Sequence, residues 1–376
     1  MARDVRTASA RDRAHMRRAL ALAERGWGQT APNPMVGAVV VRDDVVVGEG
    51  WHTQFGDAHA EVEALLHAGE LARGATLYTT LEPCNQQGKQ PPCVDAILAA
   101  GVKTVFAAVR DPNPAMSGGL VRLEGAGVEV IAGVEEDDAR ELNAPFVFAF
   151  QSNRPWVTLK LAVSLDGAIA DATRRPGWLT GKRSRAEVHR MRANVDAVAV
   201  GVGTALADNP GLTVRGTVVP RRAPLRVVFD RTARLPLDSS LVKTARERPV
   251  LVITDVPAPP RAIPLAEAGV EILSCASLDD AMRALRDRGV RSMMVEGGAT
   301  IASALLDAGL VDRLVIFQAP VILGAGALPA FAGAAAATAG SATRLRIVSR
   351  QSLGGDVMTT YALTEPGDAP RSHGGG

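Results

Sequence analysis

ATLYTTLEPCNQQGKQPPCVDAILAAG, residues 75–101, places two cysteines between a strand pattern and a helix pattern. ATLYTTL (75–81) reads as a strand, and VDAILAAG (94–101) has helical spacing and stops at glycine. VKTVFAAV (102–109) is a strand again. Upstream, His59-Ala60-Glu61 opens a helical stretch from Ala60 to about Ala72. Zinc takes imidazole nitrogen and thiolate sulfur, and a catalytic zinc site keeps one of four positions for water. His59, Cys84 and Cys93 supply three ligands for one zinc ion per chain and leave that position open. Zinc lowers the pKa of such a water towards ~7. Glu61 is then the candidate catalytic residue, taking the proton and handing it to a leaving group.

Local geometry supports this grouping. Residues two apart do not face each other on a regular helix, so His59 and Glu61 converge only if the helix begins at His59. Each cysteine sits beside a proline, and we expect both at loop-to-helix junctions, with Pro92 starting the helix that holds Cys93. A helix N-terminus favours the thiolate. A lone cysteine is more often a packing residue, and Cys275 in EILSC is read that way. Three such residues in H-A-E and P-C…C form are the pattern of zinc deaminases, although eight residues separate these cysteines where P-C-x-x-C is usual.

Working outward, residues 10–25 form a helix with a solvated arginine face, and 35–41 with 45–51 a hairpin turned at Asp43-Asp44. Alternating helices and strands give a three-layer α/β domain closing near 141–150. The Pro-containing SNRPW (152–156) marks a boundary. A second α/β series follows: strands at 156–164, 196–202, 225–230, 250–254, 292–298 and 313–322, and helices across 182–194, in LDDAMRALRDRG and in ATIASALLDAG. ALPAFAGAAAATAG (327–340) reads as a loose connection. The domains expected are 1–151, 152–364 and a disordered tail 365–376.

The 376 residues are 47% hydrophobic and 22% charged, which excludes a disordered chain. A net charge of +2 and 4% aromatic residues argue against a nucleic-acid partner. The charged N-terminus has no signal-peptide core, no apolar run reaches membrane-span length, and three cysteines make no disulfide framework. A cytoplasmic protein without membrane partners is expected.

In the second half, Gly201-Val202-Gly203-Thr204 follows a strand, and Glu296-Gly297-Gly298-Ala299-Thr300 links a strand to a helix. A glycine turn before a helix offers backbone N–H groups to a phosphate. Each is weak alone, and the absence of G-x-G-x-x-G argues against a Rossmann domain.

EPCNQQGKQPPC (82–93) resembles the E-P-C-S-H-x-G-[KR]-T-P-P-C segment of the bifunctional riboflavin-biosynthesis deaminase/reductase family. APNPMVGAVVV (31–41) is similar to that family's H-P-N-P-x-V-G-x-V-I-V, and DPNP (111–114) is shared. LKLAVSLDGAIA (159–170), GWLTG (177–181), VGVGTALADNPGLTVR (200–215) and VEGGATIASALLDAGLVD (295–312) resemble its reductase half. The resemblance covers about residues 14–362. It implies a cytidine-deaminase-like domain followed by a dihydrofolate-reductase-like α/β domain that uses NADPH.

The resemblance further implies deamination of 2,5-diamino-6-(5-phosphoribosylamino)pyrimidin-4-one, then reduction of its ribosyl group to ribityl. Asn33, His52 and Lys89 would contact the deaminase substrate. Cofactor contacts would come from Ala162, Trp178, Thr204, Asp208, Gly298, Ala299, Thr300, Ile301, Ala302, Ser303 and Ala304. Arg192, Leu212, Arg215 and Glu296 would contact the reductase substrate, arginine suiting phosphate through its planar fork. Lys160, Asp208 and Glu296 are candidates for the reductive proton. A homo-oligomer, dimer or tetramer, is expected.

Three positions depart from the family pattern. Gln86 stands where a substrate-binding histidine is usual, Pro176 where a serine is, and Asn209 where a second Asp follows Asp208. Two other readings therefore stay open: a chain with one half catalytically lost and serving as a binding or assembly module, or a nucleic-acid base deaminase.

Overall fold

The computed structural model describes residues 8–363, apart from 176, 335–336, 339–341 and 343. The tail 365–376 and Pro176 lie outside the described residues. The chain forms two compact units, Met1–Phe150 and Gln151–Gly376.

The first unit runs α1 (Ala10–Ala23), β1 (Gly37–Arg42), β2 (Val45–Trp51), α2 (Ala60–Ala68), β3 (Thr76–Leu81), α3 (Cys93–Ala100), β4 (Thr104–Val109), α4 (Gly119–Gly125), β5 (Glu129–Ala132), α5 (Glu136–Leu142) and α6 (Ala144–Phe148). Its five-stranded sheet has the order β2-β1-β3-β4-β5. β1 is antiparallel to β2 and β3, whereas β3, β4 and β5 are parallel. Asp43 and Asp44 take φ of 50° and 63°, the left-handed values that a tight hairpin turn requires.

Glycines on β1 and β2 set the layers. A Cβ on Gly50 would lie 2.3 Å from Ala60 O, so the start of α2 rests directly on the strand. A Cβ on Gly37 would lie 2.0 Å from Ala19 O of α1. Gly50 pairs with Ala38, so Gly37 and Gly50 face opposite sides of the sheet. α1 and α2 therefore cover opposite faces, giving three layers. Val39, Val40, Leu77 and Phe106 are fully buried between them, each contributing about 1.5–3 kcal/mol relative to exposure.

The second unit runs β6 (Trp156–Val163), β7 (Ala168–Ala170), α7 (Lys182–Arg192), β8 (Ala197–Gly201), α8 (Val202–Asp208), β9 (Leu225–Phe229), α9 (Ser240–Lys243), β10 (Val250–Thr254), α10 (Ala262–Glu267), β11 (Glu271–Ser274), α11 (Leu278–Asp287), β12 (Ser292–Glu296), α12 (Ala299–Asp307), β13 (Arg313–Gln318), β14 (Leu328–Pro329), β15 (Arg346–Leu353) and β16 (Asp356–Ala362). Nine strands form one sheet, β11-β10-β9-β8-β12-β6-β13-β16-β15. From β11 to β13 all neighbours are parallel, and β16 and β15 add antiparallel strands at one edge. Leu251 and Ile253 enter one core, and the alternating Val250 and Val252 enter another, so both faces are covered. The shared direction brings the C-terminal ends of β6 and β8 to β12 to one edge, where α/β sheets bind ligands.

Two expectations need correction. The strand expected over 313–322 ends at Gln318, close to Pro320, which has no N–H for the ladder. The connection at 327–340 is not wholly loose, because Leu328–Pro329 pairs with β7. At the start of the unit, Arg154 binds Asp312 through two bonds of 2.7 and 2.8 Å, and the Val157 N–H donates to the same carboxylate at 2.8 Å.

Candidate functional site

His59 is the N-cap of α2 and Glu61 lies in its first turn, the only placement in which the two can converge. Cys93 is the first residue of α3 after Pro92. Cys84 departs from expectation: it sits in an irregular loop after β3 rather than at a helix start. Its own carbonyl accepts from Val94 N–H at 3.3 Å, and its sulfur accepts from Cys93 N–H at 3.3 Å.

The ligand atoms of His59, Cys84 and Cys93 all lie within 4.8 Å of one another. His59 Nδ1 is 3.2 Å from Cys93 Sγ and 3.5 Å from Cys84 Sγ. Zinc–sulfur and zinc–nitrogen bonds in a tetrahedron put donor atoms ~3.6 Å apart, so this set fits zinc without rearrangement. Cys93 bonding to its sulfur pulls the Cys84 thiol down to about 4, with His59 assisting. Cys93, donor in that pair and deeply buried, is pushed up. The bond to Cys84 holds His59 above its ordinary value despite burial. Glu61 is buried, which raises its carboxyl to about 7, and its Oε2 lies 3.5 Å from Cys93 Sγ. A carboxyl so placed can both hold and release a proton near neutrality.

Asn33 and His52 border this cluster together. Asn33 Nδ2 is 3.3 Å from His52 Nε2, and the His52 ring meets the His59 ring edge-on at 5.5 Å. Lys89 is exposed, its ammonium 4.1 Å above the Phe55 ring. The sequence reading missed Phe55, which has no motif around it. It also gave no role to Glu82, whose buried carboxylate accepts from the N–H groups of Asp111, Gly118 and Leu120 at 3.0–3.1 Å. Glu82 thus fastens the DPNP loop beside the strand end that leads to Cys84.

In the second unit a groove of about 1530 Å³ opens along the C-terminal strand ends. That exceeds the ~300–1,000 Å³ of a small-molecule pocket and suits a dinucleotide plus a second substrate. Ala162, Trp178, Thr204, Asp208, Gly298, Ala299, Thr300, Ile301 and Ala304 line it, as do Arg192, Leu212, Arg215 and Glu296. Ala302 and Ser303 do not: both are buried on the inner side of α12, and Ser303 Oγ has no hydrogen-bond partner among the described residues. Gly298 takes φ of 84°, and a Cβ there would lie 2.8 Å from Thr204 Oγ1, so the two glycine features meet.

Arg192 grips Glu296 with its Nε and with Nη2, the latter at 2.8 Å, and Nη1 donates to Thr213 O at 2.7 Å. Glu296 is held below its ordinary value by Arg192 against the opposing effect of burial. Lys160 pairs in register with Glu296 on the neighbouring strand, and burial lowers its ammonium pKa. Trp178 is exposed beside the Arg185 guanidinium, 5.0 Å from its ring. Asn209 closes α8 in the left-handed conformation, and its Oδ1 accepts from Ser240 N–H at 2.7 Å, so this departure is a turn feature. Cys275, read as a core residue, is buried just beyond β11 and also borders the groove.

Residues 9–109 match the family model for the cytidine and deoxycytidylate deaminase zinc-binding region, and residues 155–359 match the RibD C-terminal domain. The riboflavin biosynthesis protein RibD of Aquifex aeolicus is 44% identical over 318 residues, 84% of this chain and 88% of that one. RibD of Actinobacillus pleuropneumoniae is 37% identical over 94% of this chain and 95% of its own. Among solved structures, Acinetobacter baumannii RibD superposes with a TM-score of 0.81 at 38% identity, covering 94% of this chain and 98% of that chain. The diaminohydroxyphosphoribosylaminopyrimidine deaminase/5-amino-6-(5-phosphoribosylamino)uracil reductase of Thermotoga maritima also gives 0.81, at 37% identity over 93% and 98%. The chain belongs to the RibD family, the bifunctional enzymes of riboflavin biosynthesis that join a zinc-binding deaminase unit to an NADPH-using reductase unit.

Proposed function

We propose that the first unit deaminates 2,5-diamino-6-(5-phosphoribosylamino)pyrimidin-4-one and that the second reduces the ribosyl group of the product to ribityl. The observation that carries this reading is the His59–Cys84–Cys93 cluster with Glu61 buried against it. His59, Cys84 and Cys93 would hold zinc, which when bound makes a water nucleophilic at neutral pH. Glu61 takes the proton from that water and delivers it to the departing amino group, so that C–N gives way to C–O and ammonia leaves. Asn33 and His52, held together at the edge of the cluster, orient the pyrimidine, and Lys89 meets the phosphate.

In the second unit Thr204, Asp208 and Gly298 at the groove would hold NADPH, which when bound would supply the hydride for reduction at C1′ of the opened sugar. Arg192 and Arg215 receive the substrate phosphate, and Glu296 keeps Arg192 in place. Of the three candidates for the proton, Lys160 is favoured. It faces the groove, makes no ion pair among the described residues, and burial eases its proton loss. Neither lost catalysis in one half nor a nucleic-acid substrate finds support in the relatives. The proposal is completed by a cytoplasmic homo-oligomer, two or four copies, acting on free small molecules. The three cysteines are unpaired, in keeping with a reducing compartment, and no helix among the described residues is long and apolar enough to cross a membrane.

Metal analysis tests the reading. The purified chain should hold one zinc, and a Cys84→Ser, Cys93→Ser double variant should hold none and release no ammonia. The same variant should still oxidise NADPH when given the deaminated intermediate. Zinc retained by the double variant would remove the ligand assignment.

A further inference from the structure

Beside the reductase groove lies a second cavity, of about 520 Å³. The segment from Asn209 to Arg215 runs between the two: Asn209, Gly211, Thr213 and Arg215 line both. Most of the remaining wall comes from the start of β9 and from α9 with the turn after it, through Arg226, Ser240, Thr244 and Arg248. The reduction proposed above uses none of these last four.

The charge in this cavity is one-sided. Arg215, Arg226 and Arg248 line it, and no acidic residue among the described ones does. Arg226 is the second residue of β9 and only 2% exposed. Its Nη atoms donate to Thr244 Oγ1 at 2.8 Å, to Thr244 O at 3.1 Å, and to the carbonyls of Gly211 and Arg248. All of these acceptors are neutral. Its Nε is buried with no hydrogen-bond partner among the described residues, and no carboxylate faces it. Burial, with the Arg248 guanidinium beside it, holds its pKa down at about 10. A buried cation without a counter-charge is costly, and two further arginines around it deepen the positive potential. A dianion in the cavity offsets that cost, because arginine forks match phosphate oxygens and Ser240 adds a hydroxyl.

We propose that this cavity binds a phosphate dianion, free or as a small monoester, and that an occupied site weakens the reductase substrate by drawing Arg215 away from the groove. Arg215 is exposed, and its Nε reaches Thr213 Oγ1 only at 3.3 Å, so the side chain is loosely held and can turn to either side. One guanidinium serves one phosphate at a time. The coupling rests on Arg215 meeting the substrate phosphate, whereas the site itself does not.

Calorimetric titration of the whole chain with inorganic phosphate and with glycerol 3-phosphate tests the site without turnover. Tighter binding of glycerol 3-phosphate assigns a monoester, and tighter binding of inorganic phosphate the free ion. Arg248→Ala, which keeps the carbonyl that Arg226 holds, should weaken binding about tenfold, and Arg226→Met should abolish it. Arg192→Ala, which strips the groove of a phosphate contact, should leave it in place. No saturable binding by the wild type, or binding lost in Arg192→Ala and kept in Arg248→Ala, would overturn the site. With the deaminated intermediate as substrate, added phosphate should raise the reductase KM at unchanged kcat, and do so far less in Arg248→Ala. An equal rise in both proteins would place the competing ion in the groove and overturn the coupling. A wild type that failed to reduce the intermediate at all would overturn the reductase reading, while the titrations still decide the site.

Discussion

Replacing Glu61 by glutamine removes one atom's worth of chemistry from a site whose shape it leaves alone. Glu61 is buried in the first turn of α2, with the His59 N-cap on one side and Cys93 Sγ 3.5 Å away on the other. Glutamine has the same length and can occupy the same space, so the three ligand atoms have no reason to move. What disappears is a carboxyl raised by burial to about 7, able to accept a proton and return it within one turnover. Losing a general acid–base of this kind lowers rates by about two to four orders of magnitude, or about 3–5 kcal/mol of barrier. Ammonia release from the diamino substrate, followed without NADPH, should fall by that factor while zinc content holds. Reduction of pre-deaminated substrate should stay near wild type, because Lys160, Arg192 and Glu296 lie in the other unit. Undiminished deamination in the zinc-loaded variant would refute the role of Glu61. Lost reduction in a folded variant would refute the independence of the two sites.

Other expectations follow from particular contacts. Gln86→His, restoring a side chain able to carry charge beside the Lys89 loop, should lower KM for deamination about fivefold (~1 kcal/mol); an unchanged or higher KM would mean that the phosphate is already satisfied. Asp312→Ala strands Arg154 and the Val157 N–H, and should cost the reductase unit about 3–5 kcal/mol in denaturant unfolding. Asp111 is raised to about 6, chiefly by burial, from an ordinary 3.8. The folded chain therefore holds that proton more tightly than the unfolded one, and stability is lost as pH rises from about 4 through 6. Asp111→Asn should abolish that loss, a gain on the order of 3 kcal/mol above pH 6, seen as unfolding midpoints that converge with wild type only in acid.

The deaminase centre was legible because its parts are local. His59 and Glu61 share one helix start, and Cys84 and Cys93 flank one loop, so residue type and spacing nearly define the cluster. What the pattern could not show was that Cys84 needs no helix, being fixed instead by backbone bonds to α3 and by the loop that Glu82 fastens. The reductase groove was legible only where glycine turns marked it. Its far rim is built from Arg231, Asp255 and Ser277, which are distant in sequence and meet because parallel strands end side by side. No local pattern encodes that meeting. The helix at Ala299 was expected to present seven consecutive contacts from Gly298 to Ala304, yet helical periodicity turns Ala302 and Ser303 inward. The edge strand β15 escaped notice because RIVSRQSL is mostly exposed and lacks a buried alternation.

The central claim is that one chain performs two successive reactions at two separate sites, and stoichiometry measures it most directly. Purified protein given the diamino phosphoribosyl substrate without NADPH should release ammonia and accumulate the deaminated intermediate. Added NADPH should then be oxidised, ending at one NADPH consumed per ammonia released. NADPH oxidation that preceded or exceeded ammonia release, or deamination that required NADPH, would contradict the account.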